Sequence, residues 1–167
     1  MNENLYFAYG SNMNLEQMAH RCPNAKVVGA VSVRGYRLAF CGKKESGVAT
    51  IVPQEGRHVD GVLWKITTDC EKSLDMYEGY PRLYGKKSIT VSGANMPPIT
   101  AMVYTMNAPY RDTPALPSKQ YLNGILCGCY ENKISSIPIM QSVQETRNAL
   151  PQQQNLFKQM RPFSRER

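Results

Sequence analysis

The sequence predicts an α+β fold: a compact, mixed, largely antiparallel β-barrel with two or three flanking helices. Three observations carry this reading. About seven strand-like segments follow one another through short, Gly-bearing breaks, which favours antiparallel neighbours and permits closure into a barrel. Capped helical stretches interrupt the strands rather than alternating with every one. The 167 residues are 42% apolar and 20% charged, which suits one domain with a real core.

The elements can be justified in order. Asn4-Leu5-Tyr6-Phe7-Ala8 reads as a short buried strand, since aromatic and aliphatic residues run together. Tyr9-Gly10-Ser11-Asn12 is turn chemistry placed directly after it. Asn14 and Gln17 form a capping box for a helix whose Leu15, Met18, Ala19 and Cys22 share one face, ended by Pro23. Strand-like segments follow at 26–33, 35–41, 47–53 and 59–66, with Gly35, Gly42, Gly47 and Gly56 in or beside the breaks. Thr68 and Glu71 suggest a second capping box for a helix over 69–78, which Gly79 and Pro81 stop. Two more strands fit 86–93 and 99–106, and Ser118 is placed to cap a helix over 119–130. A domain over 1–136 is therefore expected, followed by a 137–167 extension. The extension reads as one short helix near 141–149 and a Gln-rich tail ending in Arg161, Arg165 and Arg167.

Composition excludes several function classes. Lys and Arg number 20 against 13 acidic residues, a net charge of +7 that suits an anionic partner such as a small carboxylate. The basic residues are scattered and no stacking module interleaves them with aromatics, which argues against nucleic acid. No apolar run approaches the roughly 20 residues needed to span a bilayer, and no signal-peptide pattern opens the chain. Five cysteines without framework spacing favour a reducing, cytoplasmic setting. His20 and His58 are far apart, and Cys127 and Cys129 point to different sides of their helix, so no metal ligand set is expected.

Two places carry possible chemistry. Glu78 ends its helix four residues after the core-facing Leu74, on the same face. It is either a desolvated acid with a raised pKa or a helix-end carboxylate pointing into water. The run Tyr9 to Asn12 either curls backbone N–H groups around a carboxylate or oxyanion, or simply joins a strand to a helix. Tyr121 is either a core aromatic or a hydroxyl donor at a pocket wall. The methionines at 13, 18, 96, 102 and 106 are most simply core filler.

Phe7-Ala8-Tyr9-Gly10-Ser11-Asn12-Met13 resembles the opening loop of the γ-glutamylcyclotransferase-like family, and Leu74-Asp75-Met76-Tyr77-Glu78-Gly79-Tyr80-Pro81 resembles its second signature. Gly47-Val48-Ala49-Thr50-Ile51 and Gly61-Val62-Leu63-Trp64-Lys65-Ile66 are similar to its central strands, and Pro117-Ser118-Lys119-Gln120-Tyr121 with Gly128 to its last helix. The pieces stand in family order over about residues 4–135. The resemblance implies a compact mixed barrel that turns γ-glutamyl compounds into 5-oxoproline without metal or cofactor. It also implies that Glu78 is catalytic, that Tyr9, Gly10, Ser11 and Asn12 cradle substrate, and that Tyr121 lines the pocket. Tyr84, just past the Glu-Gly-Tyr-Pro signature, is a further pocket candidate.

Overall fold

The computed structural model describes residues 3–150. The basic tail expected over 151–167 lies outside the described residues. Five strands form a closed barrel in the order β1-β3-β2-β4-β5. They span β1 Glu3–Ala8, β2 Lys26–Lys43, β3 Ser46–Thr67, β4 Tyr84–Gly93 and β5 Met96–Met106. Among the described residues four helices flank them: α1 Leu15–Arg21, α2 Thr68–Glu78, α3 Lys119–Glu131 and α4 Ile137–Asn148.

Strand number is the main departure from the sequence reading. The four segments expected between 26 and 66 are two long strands paired antiparallel almost throughout. The breaks became a bulge instead of ends. Arg34 pairs with His58 and Tyr36 with Pro53, so a single residue of β2 faces four of β3. Gly35 at φ 81° and Gly56 at φ 80° supply the left-handed backbone that lets both strands bend there without parting.

β1 is short yet central. It pairs antiparallel with β3 from Glu3↔Thr67 to Ala8↔Val62 and meets β5 in parallel at Tyr6↔Met102. Tyr6, Phe7 and Ala8 are all buried, as expected of a strand covered on both faces. The residues that follow β1 are therefore delivered to the barrel end from a rigid element.

Helix boundaries follow from caps. The Asn14 side chain accepts from the Gln17 N–H at 3.0 Å, as the box predicts. α2 is capped by Thr67, not Thr68, through a 3.2 Å bond from the Cys70 N–H. The helix thus starts one residue earlier than the Thr68–Glu71 pattern suggested. Leu74 is fully buried beneath it. Ser118 caps α3 as expected, accepting from Tyr121 N–H at 3.2 Å. α4 begins at Ile137, four residues before the expected start, because Pro138 is tolerated in a first helical turn. Its buried Ile139 and Val143 pack toward β2, and Ser142 Oγ donates to the Leu38 carbonyl at 2.8 Å.

Of the five methionines read as filler, Met13, Met18 and Met106 are buried and Met96 and Met102 are partly so. All five cysteines are free thiols. Cys127 is exposed and Cys129 buried, so the two do face apart.

Candidate active site

A cavity of about 180 Å³ opens at one end of the barrel, and Tyr9, Gly10, Ser11, Asn12, Glu78, Tyr84 and Tyr121 all border it. The structure thus brings together, from four separate stretches, every residue singled out as a site candidate. It adds Tyr6, Tyr77, Leu83 and Tyr104 to the wall.

The turn after β1 forms the cavity floor. Ser11–Met13 is a single 3-10 turn, closed by Met13 N–H to the Gly10 carbonyl at 3.0 Å. The N–H groups of Ser11 and Asn12 precede that bond, so they have no partner within the turn. Three anchors hold the segment. Trp64 Nε1 donates to the Asn12 carbonyl at 3.0 Å, and Asn132 Nδ2 to the Met13 carbonyl at 2.8 Å. Asn14 Nδ2 donates to the Gly124 carbonyl at 3.1 Å. The turn also lies flat on α3 at Gly128, where a Cβ would sit 2.8 Å from both the Asn14 nitrogen and the Met13 carbonyl carbon. Gly128→Ala must push α3 away from the turn, an overpacking cost of about 1–3 kcal/mol. The expected result is a melting temperature lower by at least about 2 °C. A melt superimposable on wild type would contradict this close-packing account.

Glu78 is half-buried at the last position of α2. The helix is closed behind it by Tyr80 N–H to the Asp75 carbonyl at 2.9 Å. One turn earlier, Asp75 accepts from Tyr104 Oη at 2.5 Å and from Lys86 Nζ, which also bonds Glu71. These contacts fasten α2 to β4 and β5 and so fix where Glu78 emerges. Its Oε1 accepts from Asn12 Nδ2 at 3.2 Å. Removal from water pushes the Glu78 carboxyl up to about 7, while the Arg21 charge pulls in the opposite direction. The water-facing alternative for this residue is therefore not what the fold builds.

This shift predicts a pH dependence of stability. Between about 4.5 and about 7 the folded state holds a proton on Glu78 that the unfolded chain has lost. Stability should therefore fall as pH rises through that window, by at most about 3.5 kcal/mol at about 1.4 kcal/mol per unit. Glu78→Gln should remove this component. Urea unfolding of both proteins at pH 5 and pH 8 tests it. An equal pH 5-to-8 difference in the two would show that Glu78 is not desolvated.

The tyrosines divide into two kinds. Tyr9 Oη donates to the Tyr104 carbonyl at 2.6 Å, and Tyr84 Oη to the Ala49 carbonyl at 2.5 Å. Their hydroxyl protons are committed to backbone, so what they present to the cavity is ring surface and oxygen lone pairs. Tyr121 Oη instead accepts, from Ala49 N–H at 3.0 Å, which leaves its own proton to be donated into the cavity. Burial pushes all three phenols upward, so they stay protonated.

Tyr6, Tyr77, Tyr104 and Arg21 escaped the sequence reading. Tyr6 and Tyr104 look like strand core, and nothing local shows that their rings meet edge-on at 5.8 Å beside a cavity. Tyr77 precedes Glu78, and that adjacency was the available signal. Arg21 sits at the end of α1, four residues after Gln17, to which it donates at 2.9 Å.

One carboxylate stands among phenols and backbone donors, with no thiol and no second acid bordering the cavity among the described residues, an arrangement suited to proton transfer on a small polar molecule. The chain belongs to the family described as "Gamma-glutamyl cyclotransferase, AIG2-like", whose profile matches residues 6–123. It is 35% identical over 136 residues to the gamma-glutamylcyclotransferase of Bos taurus, covering 77% of this chain and 71% of that one. The Homo sapiens gamma-glutamylcyclotransferase is 33% identical over the same shares. A solved structure titled gamma-glutamyl cyclotransferase superimposes with a TM-score of 0.73 at 30% identity, covering 87% of each chain.

Proposed function

We propose that this chain is a γ-glutamyl cyclotransferase: it converts a γ-glutamyl amino acid or γ-glutamylamine into 5-oxoproline and the free amine. The observation that carries the mechanism is Glu78, a half-buried carboxyl raised to about 7, with one oxygen held by Asn12 inside a cavity of phenols. The relatives named gamma-glutamylcyclotransferase support the same reaction.

The reaction has two proton problems. The substrate's α-ammonium must lose a proton before its nitrogen attacks the γ-carbonyl carbon. The amide nitrogen must gain one before the C–N bond breaks. A carboxylate with a pKa near neutrality can take the first proton and return it to the leaving nitrogen. Such a group typically supplies about 10²–10⁴-fold. Holding the glutamyl chain folded, with amine against carbonyl, supplies more, since oriented intramolecular attack is worth roughly 7–11 kcal/mol. The small cavity between the Gly10–Asn12 turn and the rings of Tyr9 and Tyr84 suits that folded pose. In this reading the N–H groups of Ser11 and Asn12 receive the α-carboxylate, and Tyr121 Oη donates to the carbonyl oxygen as it becomes negative.

The residues bordering the cavity all fall between 6 and 121, which supports 1–136 as the part that carries the chemistry, while α4 adds Ile139 and Val143 to the same core. No helix of the described residues is long and apolar enough to cross a membrane. With five free thiols, the cytoplasm is the setting this reading favours. No group of three or more metal-binding side chains occurs among the described residues. The test is a panel of γ-glutamyl amino acids and γ-glutamylamines, each assayed for 5-oxoproline and free amine. Equimolar release of both from at least one compound is expected. Tight binding of such compounds with no product would instead identify a non-catalytic binding protein.

A further inference from the structure

We propose that Arg21 is a positioning residue that acts through Asn12 to hold Glu78 in one orientation and to balance its charge, an inference that rests on Glu78 being the proton carrier.

Arg21 Nη1 donates to Asn12 Oδ1 at 2.5 Å. A guanidinium has donors only, so this contact fixes which end of the Asn12 amide faces it. The Nδ2 end must then face the other way, and there it meets Glu78 Oε1 at 3.2 Å and Tyr6 Oη at 2.9 Å. One oxygen of the carboxyl is thereby always occupied by an N–H donor. The other is left for the substrate amine. Without the cation, a half-turn of the Asn12 amide would set its oxygen against Glu78 and repel the ionised form.

Arg21 is itself held on three sides. Its Cζ lies 3.5 Å from the centroid of the Tyr77 ring, and Nη1 reaches Ser11 Oγ at 3.4 Å. Nη2 donates to Gln17 Oε1 at 2.9 Å. Tyr77 directly precedes Glu78, so the stacked guanidinium ties α1 to the end of α2 as well as to the turn. Planar stacking and the two-nitrogen fork are features of Arg that Lys does not reproduce.

Charge acts beside the hydrogen bonds. The titratable groups facing Glu78 from the other elements are Tyr6 on β1, Tyr9 after it, Tyr84 on β4, Tyr104 on β5 and Tyr121 on α3. All are phenols pushed upward by burial and therefore neutral. Asp75, the nearest acid on α2, is engaged by Lys86. Among the described residues, Arg21 is thus the cation that offsets the burial of Glu78.

Arg21→Met and Arg21→Lys separate the two roles. Ionisation of Glu78 is followed by carboxyl infrared difference spectra, with Glu78→Gln as the blank, so the readout does not depend on turnover. Removing the opposite charge that stands beyond Asn12 should raise the Glu78 midpoint by about one unit in Arg21→Met. Arg21→Lys should return it most of the way. In 5-oxoproline assays kcat should fall roughly 10-fold or more in both variants, with KM changed less, since Lys keeps the charge but loses the fork. Thermal melts establish that each variant is folded, and Arg21→Gln replaces Arg21→Met if that one is not. A folded, charge-free variant with an unmoved Glu78 midpoint overturns the proposal. A moved midpoint in a protein that makes no 5-oxoproline would sustain the Arg21–Glu78 coupling and sink the enzymatic reading instead.

Discussion

Glu78→Gln should yield a folded protein whose turnover is roughly 10²–10⁴-fold below wild type, the usual worth of a positioned acid–base group. The substitution keeps the side chain's size and its acceptor for Asn12 Nδ2, now 3.2 Å from Glu78 Oε1. It removes only the group that can carry a proton. Stability at neutral pH should not suffer, because a carboxyl pushed up to about 7 by desolvation is itself unfavourable when ionised. Binding should change much less than turnover, since the Ser11 and Asn12 N–H groups and Tyr121 lie on other elements. Circular dichroism and 5-oxoproline release are to be measured on one preparation. A folded variant with most of its activity would remove Glu78 from the mechanism.

The second large effect is expected at Tyr121. Its hydroxyl accepts from Ala49 N–H at 3.0 Å and so keeps its own proton free to be donated into the cavity. Tyr121→Phe deletes that donor, and losing one preorganised oxyanion donor costs roughly 10²–10³-fold in kcat. The same change leaves the buried Ala49 N–H without its acceptor, at about 1–3 kcal/mol. A melt must therefore accompany the kinetics. A loss confined to KM would move Tyr121 from the carbonyl oxygen to the α-carboxylate. Unchanged kinetics in a folded variant would leave it as a wall only. Tyr84→Phe makes the contrast, because the Tyr84 proton is already given to the Ala49 carbonyl. Its effect should appear in stability before it appears in kcat.

The legible parts of this protein were those set by local chemistry. Asn14 and Ser118 announce their helices because a cap is a contact over three residues. Leu74 and Glu78 announce a shared face because one helical turn relates them. The long strands were less legible. A Gly in a strand pattern reads as an end, and only pairing across the sheet shows that Gly35 and Gly56 lie in one bulge. The placement of Thr67 rather than Thr68 as cap turns on one residue of register between β3 and α2. Within the site, the carboxyl's environment is decided by groups far away in sequence. Asn12 is 66 residues from Glu78, and Arg21 acts on Glu78 across two helices. No window of the sequence contains such a relation. The resemblance points to Tyr121 where periodicity leaves it open, and Tyr84 stands just past the matched signature, but neither says which hydroxyl proton is spent on backbone and which is free.

In the proposed mechanism a single carboxylate, tuned by this fold, carries the proton in both directions. The pH dependence of kcat/KM for 5-oxoproline release tests it most directly, because its acid limb reports the free enzyme's essential base. The expected profile has a limb with its midpoint near 7, the value to which burial pushes Glu78, and no such limb in the residual activity of Glu78→Gln. A wild-type profile that stays flat down to about pH 5, near the ordinary range of an exposed Glu, would contradict it.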